Sequence, residues 1–139
     1  MDLSEFISLH QLNWAKEFEA MFVGLHANRI IHMHYKSNAI MSLDCAKEIV
    51  QYIGQQGNGQ AFPNLVVLAP GCSISKEAGS FSKSEAANIY TLADAIVVKN
   101  AGQRILGNIY INFGRPSRPT KLFSNKEQAL KWLTKFSAK

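Results

Sequence analysis

Apolar positions along the chain follow two different periods, and the points where the period changes outline the elements. Arg29 to Lys36 alternates with period two, placing Ile31, Met33 and Tyr35 on one face and Ile30, His32, His34 and Lys36 on the other. Glu17 to Leu25 is also strand-like. His26-Ala27-Asn28 between them is short enough for a hairpin turn, with Asn28 able to take a positive φ. From Ser42 the period is helical: Ser42 is a candidate N-cap, Asp44 suits the positive end of the helix dipole, and Leu43, Ala46, Ile49, Val50 and Ile53 make one stripe. Gly54 to Gly59 closes that helix. Leu65-Val66-Val67-Leu68-Ala69 is then a continuous apolar run of strand length, as expected of a strand buried on both faces.

The second half repeats the alternation. Ser82-Lys83-Ser84-Glu85 has the form of a capping box with Phe81 and Ala86 as its staple, which predicts a helix from about Lys83 to Ala93. Ala95-Ile96-Val97-Val98 predicts another buried strand. Asn100-Ala101-Gly102-Gln103 offers a cap to a helix with Ile105, Leu106, Ile109, Tyr110 and Phe113 on one side. The prolines of 115–119 must end it. Thr120 to Phe123 reads as a short strand, and Ser124-Asn125-Lys126-Glu127 caps a last helix that buries Ala129, Leu130, Leu133 and Phe136. The predicted fold is α/β: residues 1–139 form a single domain with an initial β-hairpin, then alternating helices and strands in a mostly parallel sheet with packed helices. Residues 1–16 are expected to be a poorly defined N-terminal segment.

Composition narrows the class. With 139 residues, 47% hydrophobic and 18% charged, the chain has material for one full core and is too short for two. Its apolar runs fall far short of the roughly 18 residues of a membrane helix, and its acidic first residues do not resemble a secretion signal. Cys45 and Cys72 share no spacing motif, so a reduced, cytoplasmic protein is expected. The net charge of +5 is uneven. Residues 1–75 carry four basic and six acidic side chains, whereas 76–139 carry eleven basic and four acidic. Lys126, Lys131, Lys135 and Lys139 read as the solvated face of the terminal helix. No basic cluster interleaves with aromatics, so nucleic acid is not the expected partner.

Few residues promise chemistry. His32 and His34 share a strand face and could supply two metal ligands, but sequence places neither His10 nor His26 beside them, so an exposed strand face and no metal are expected. The glycines at 54, 57 and 59 follow a helix, where a phosphate loop must precede one. Nucleophile, Walker and zinc-protease motifs do not occur, and no local signature couples Cys72 to a histidine. Catalysis and a cofactor are therefore not expected. Ser73 and Ser75, in the loop leaving the carboxyl end of a buried strand, are candidate phospho-acceptor or loop-site residues. Arg115 and Arg118 bracket Pro116, and with Lys121 they are the candidate contact for an anion or an acidic protein partner. Ile111, opposite its helix's main stripe, and an open hairpin edge suggest a homodimer.

The order of elements over roughly residues 17–135 resembles the STAS-like group of bacterial proteins, related to the anti-sigma-factor antagonists and to the CRAL-TRIO lipid-binding domain. The resemblance rests on Asp94-Ala95-Ile96-Val97-Val98, Arg104-Ile105-Leu106-Gly107-Asn108, Pro119-Thr120-Lys121-Leu122-Phe123 and Glu127-Gln128-Ala129-Leu130-Lys131-Trp132-Leu133. It implies a non-enzymatic regulatory or protein–protein interaction module, or alternatively a domain that binds a small molecule or lipid. Phosphorylatable antagonists carry an Asp before the accepting serine. Here Ala69-Pro70 occupies that region and the serine is displaced, so what the resemblance implies securely is the scaffold.

Overall fold

Asp2 accepts a hydrogen bond from the Glu5 amide and starts a helix, α1 (Leu3–His10), which ends where Gln11 turns to φ 50°. The expectation of a poorly defined segment over 1–16 is thus corrected: α1 leads directly into β1 (Leu12–Glu17). Two turns of helix are too few to show a period, and what holds α1 in place is a tertiary contact, the fully buried Phe6. The strand expected over Glu17–Leu25 is shorter, because a turn at Phe18–Ala20 separates β1 from β2 (Met21–His26). The hairpin to β3 (Ile31–Tyr35) forms as expected. Its positive φ falls on Arg29, at 68°, because Asn28 uses its side-chain oxygen to accept from the Ile30 amide.

After β3 come β4 (Ile40–Met41), α2 (Leu43–Gln56), β5 (Phe62–Val67), β6 (Ser73–Ile74), α3 (Lys76–Ser82), β7 (Thr91–Val97), α4 (Ala101–Gly114), β8 (Thr120–Phe123) and α5 (Lys126–Leu133), the last continued by a 3-10 turn over Thr134–Phe136. This computed structural model describes residues 1–114 and 118–136, and within α4 the side chains other than those of 106 and 109–114. Ile111, on which the dimer expectation drew, has its side chain outside the described set. Caps form where the sequence offers them: Ser42 accepts from Cys45, Asn100 from Gln103 and Asn125 from Gln128.

One cap does not form. The helix predicted for Lys83–Ala93 is absent, and α3 lies earlier, started by Ser75, whose hydroxyl accepts from the Ala78 amide. Glu85, which would have closed the capping box on Ser82, instead pairs with Arg118 at 2.7 Å. Asn88 donates to the carbonyls of Ser82 and Ser84 and so holds this stretch in turns. A local signal was outcompeted by longer-range hydrogen bonds.

The main sheet has the order β1-β2-β3-β5-β7-β8, antiparallel from β1 to β3 and parallel from β3 to β8; β4 and β6 form a separate two-stranded parallel pair. Because β3, β5, β7 and β8 step in one direction across the sheet, right-handed crossovers put α2, α3 and α4 on one face. There Ile49 and Ile53 of α2 pack on Val23, Leu25 and Ile31. The other face belongs to α1 and α5, with Ala129 and Leu133 against Leu65, Ala93, Ala95 and Val97. β7 shows the division from Ala93 onward: Ala93, Ala95 and Val97 are buried under α5, and Asp94 and Ile96 face the opposite way and are less covered. A register shift puts Thr91 on the Asp94 side. The exposed lysines Lys16 and Lys121 lie on the two edge strands, which discourages edge-to-edge pairing.

Leu65 is fully buried at the centre of the second core. Leu65→Ala is expected to lower unfolding free energy by about 2–5 kcal/mol. The exposed control Lys47→Ala should stay within about 0.5 kcal/mol of the parent, both read from denaturant midpoints.

Candidate functional site

Between the sheet and the α2–α4 layer lies a cavity of about 330 Å³. Met33, Val66 and Ile96 from the sheet and Ala46 and Ile49 from α2 give it apolar walls. Its polar part comes from β5 and β7, where Asn64 and Asp94 sit opposite each other in register. The Asn64 amide nitrogen donates to Thr91 Oγ1 and to Asp94 Oδ1, each at 3.1 Å, while Asn64 Oδ1 is buried with no partner. Burial pushes the Asp94 carboxyl up to about 6, against the opposing pull of the Asn64 hydrogen bond. The cavity therefore combines apolar walls with one polar stretch, where Asp94 and the unpartnered, buried Asn64 Oδ1 lie.

The loop after β5 borders the same cavity. Cys72, Ser73 and Ile74 are among its lining residues, in keeping with a site beyond the carboxyl end of a buried strand. The two candidate serines have different positions. Ser73 is exposed in β6, with its amide donating to the Ala39 carbonyl, and Ser75 caps α3 through its hydroxyl. The cationic candidates do not converge on the cavity. Arg118 lies inside the fold's own network, its guanidinium engaging Glu85 and donating from Nε to the Thr91 carbonyl at 3.0 Å. The Arg118 guanidinium in turn lowers the Glu85 carboxyl below its ordinary range. Lys121 is exposed, with its ammonium 5.4 Å from the centre of the Phe123 ring. Arg115 lies outside the described residues.

The opposite face of the sheet corrects the reading of His32 and His34 as an exposed strand surface. His32 is only 3% exposed and His34 is half-buried, because α1 packs over them and brings His10 alongside. Ring centres lie 5.0 Å apart for His10 and His32, and 4.6 Å for His10 and His34. Both ring nitrogens of His32, and Nε2 of His34, are buried without a hydrogen-bond partner. Burial first, and the neighbouring His10 second, hold His32 and His34 down at about 3, so both rings are neutral at ordinary pH. Lys126 is also not the solvated lysine expected. It is half-buried with Nζ 3.3 Å from His10 Nδ1, and burial lowers its own pKa.

Two signals in the sequence pointed at these sites. All four histidines fall between residues 10 and 34, and a lone Asp94 opens an otherwise apolar strand run. The missing element was α1, without which His10 has no place beside the strand.

Residues 24–137 match the model of the family described as Domain of unknown function (DUF7793), and the chain belongs to that family. Among solved structures it is similar to an uncharacterised protein of the DUF3478 family with a SpoIIAA-like fold from Shewanella loihica PV-4. The TM-score is 0.60 and the identity 13%, over 87% of this chain and 99% of that one. The fold is thus SpoIIAA-like, in agreement with the STAS-like resemblance. No curated protein matches the chain. Among the described residues, no helix is long and apolar enough to cross a membrane.

The Asp94 environment has a measurable consequence. Its folded pKa of about 6 exceeds the ordinary 3.8, so the native state holds the proton more tightly than the unfolded chain. Stability contributed by this group is complete below the ordinary value and is lost as pH rises through about 6. Two units correspond to roughly 3 kcal/mol. Asp94→Asn, which keeps an acceptor for Asn64, should therefore be more stable than the parent at pH 8. The advantage should shrink as pH falls from 6 towards 4. Histidine titration enters both chains equally, so the difference between their melting temperatures across this range is the readout.

Proposed function

We propose that this domain is a non-catalytic binding module whose ligand is a small, mainly apolar molecule carrying a hydrogen-bond donor. The observation that carries this reading is the cavity between the sheet and α2–α4, with Asn64 Oδ1 unpartnered and Asp94 beside it. Its volume of about 330 Å³ lies at the lower end of the roughly 300–1,000 Å³ of small-molecule sites. Apolar walls supply affinity through removal of ligand surface from water. Specificity comes from the acceptors: a ligand hydroxyl or amine satisfies a buried oxygen that otherwise costs about 1–3 kcal/mol. A carboxylate head would instead meet a like charge at Asp94. A neutral or cationic lipid or metabolite head fits better than a fatty acid anion.

The site's border supports a regulatory reading of the module. β4 and β6 flank the cavity, and Ile40 and Ile74 on them are 63% and 41% exposed. A partner protein docking on that apolar edge would touch the segment that also contacts the ligand. On this reading the protein–protein and ligand-binding roles are successive uses of one region, with occupancy of the cavity as the signal.

Native mass spectrometry of freshly purified protein, followed by titration with long-chain alcohols and amines, tests the proposal. The parent is expected to carry a removable adduct or to bind these probes saturably. Ile96→Trp, which fills the cavity from the sheet side, should weaken binding by at least about tenfold, or 1.4 kcal/mol, with an unchanged circular dichroism spectrum. Bare protein in every preparation together with no saturable probe binding overturns it, as does equal binding by parent and Ile96→Trp.

A further inference from the structure

The histidine cluster on the opposite face of the sheet carries an inference independent of the cavity. We propose that His10, His32 and His34 form a site for a divalent transition-metal ion of the zinc type, with a fourth coordination position left to water or a further ligand. One ligand-capable nitrogen from each of the three rings lies within 4.8 Å of the other two. Zinc–nitrogen bonds of about 2.0–2.1 Å in a tetrahedral site set nitrogens roughly 3.4 Å apart. About an ångström of inward ring movement therefore closes the cluster around an ion.

A second observation points the same way. His32 buries both ring nitrogens and His34 buries Nε2, none with a hydrogen-bond partner. A neutral imidazole has one donor and one lone pair, and leaving either unpaired in a dry interior is unfavourable. Metal coordination uses the lone pairs directly. The rings already have the required charge state, because a ligating histidine must be neutral and burial keeps His32 and His34 so. An all-imidazole set selects zinc, copper, nickel or cobalt over magnesium or calcium, which prefer oxygen.

The surroundings define how the site works. Among the described residues the metal-capable group contains these three histidines and no carboxylate. His26 lies 5.8 Å from His32 between ring centres, but its Nδ1 accepts from the Asn28 amide, which holds it outside the group. Lys126 faces His10 and opposes a dication, so the ammonium must swing outward as the ion enters. Its long flexible stem at the first residue of α5 allows that movement. The ion would also join α1 to β3, tying the N-terminal helix to the sheet.

Tag-free full-length protein titrated with zinc chloride in a calorimeter tests the assignment. The parent should bind one ion per chain and gain melting temperature on zinc addition, with the gain reversed by chelator. His10→Gln and His34→Gln, both half-buried positions, should each lose more than the roughly 10–100-fold that removal of an outer-shell partner costs. The double variant Cys45→Ala, Cys72→Ala should bind as the parent does. Cobalt substitution should give tetrahedral bands without thiolate-to-metal charge transfer. No saturable zinc binding by folded parent overturns the proposal. So does undiminished binding by folded His10→Gln and His34→Gln, or a thiolate band in the cobalt spectrum.

Discussion

Parallel strands cannot leave a face to water as antiparallel ones can, and β3, β5, β7 and β8 run parallel. Covering both faces is therefore the constraint on which the rest of the molecule depends. The right-handed crossovers assign α2, α3 and α4 to one side, so the other side must be closed by whatever precedes and follows the alternating units. Here that is α1 and α5. The short N-terminal helix acts as a lid: its fully buried Phe6 packs on Phe22, with ring centres 5.4 Å apart, and covers the part of the sheet that α5 does not reach.

The same constraint creates two chemically different compartments. Along β3 successive side chains point to opposite faces, so Met33 faces the cavity layer while His32 and His34 face α1. On the cavity side, Asn64 and Asp94 from paired strands put two oxygens into an apolar space. On the α1 side, imidazole nitrogens collect where phenylalanine or leucine would pack with less difficulty. Each compartment breaks the local rule that a doubly buried strand is apolar, and such breaks concentrate where a fold does something besides folding. Burial gives Asp94 and His32 opposite responses: it raises a carboxyl and lowers an imidazole, because in both cases the charged form is the one disfavoured.

Much of this architecture was legible in the residues. The hairpin and the caps at Ser42, Asn100 and Asn125 stand where periodicity and capping chemistry place them. The apolar runs Leu65–Ala69 and Ala95–Val98 mark β5 and β7, whose strands begin earlier, at Phe62 and Thr91, and end at Val67 and Val97. The reason is that each depends on neighbours within about four positions. The failures share the opposite property. α1 is held by Phe6 reaching across the sheet, and the Ser82–Glu85 box yields to Arg118, a partner 33 positions from Glu85. The candidate sites divide in the same way. The Ser73 loop is legible because it follows a recognisable buried strand, whereas the His10 contact and the Asn64–Asp94 pair require strand register that no single segment encodes.

β3 serves both compartments through adjacent residues, as β2 does with Met21 on the cavity side and Phe22 against Phe6. Inward movement of the His32 and His34 rings acts on the backbone that also carries Met33, whose side chain lines the cavity. The histidine rings and the Met33 side chain are thus one residue of extended chain apart, about 3.3 Å. If an ion at the histidines changes the affinity of a cavity ligand, that ligand changes the ion's affinity by the same factor. The Asn64–Asp94 pair is more distant from the rings, being held from the neighbouring strands β5 and β7. Substitutions there act on the pH response of stability through Asp94 and leave the histidine face untouched.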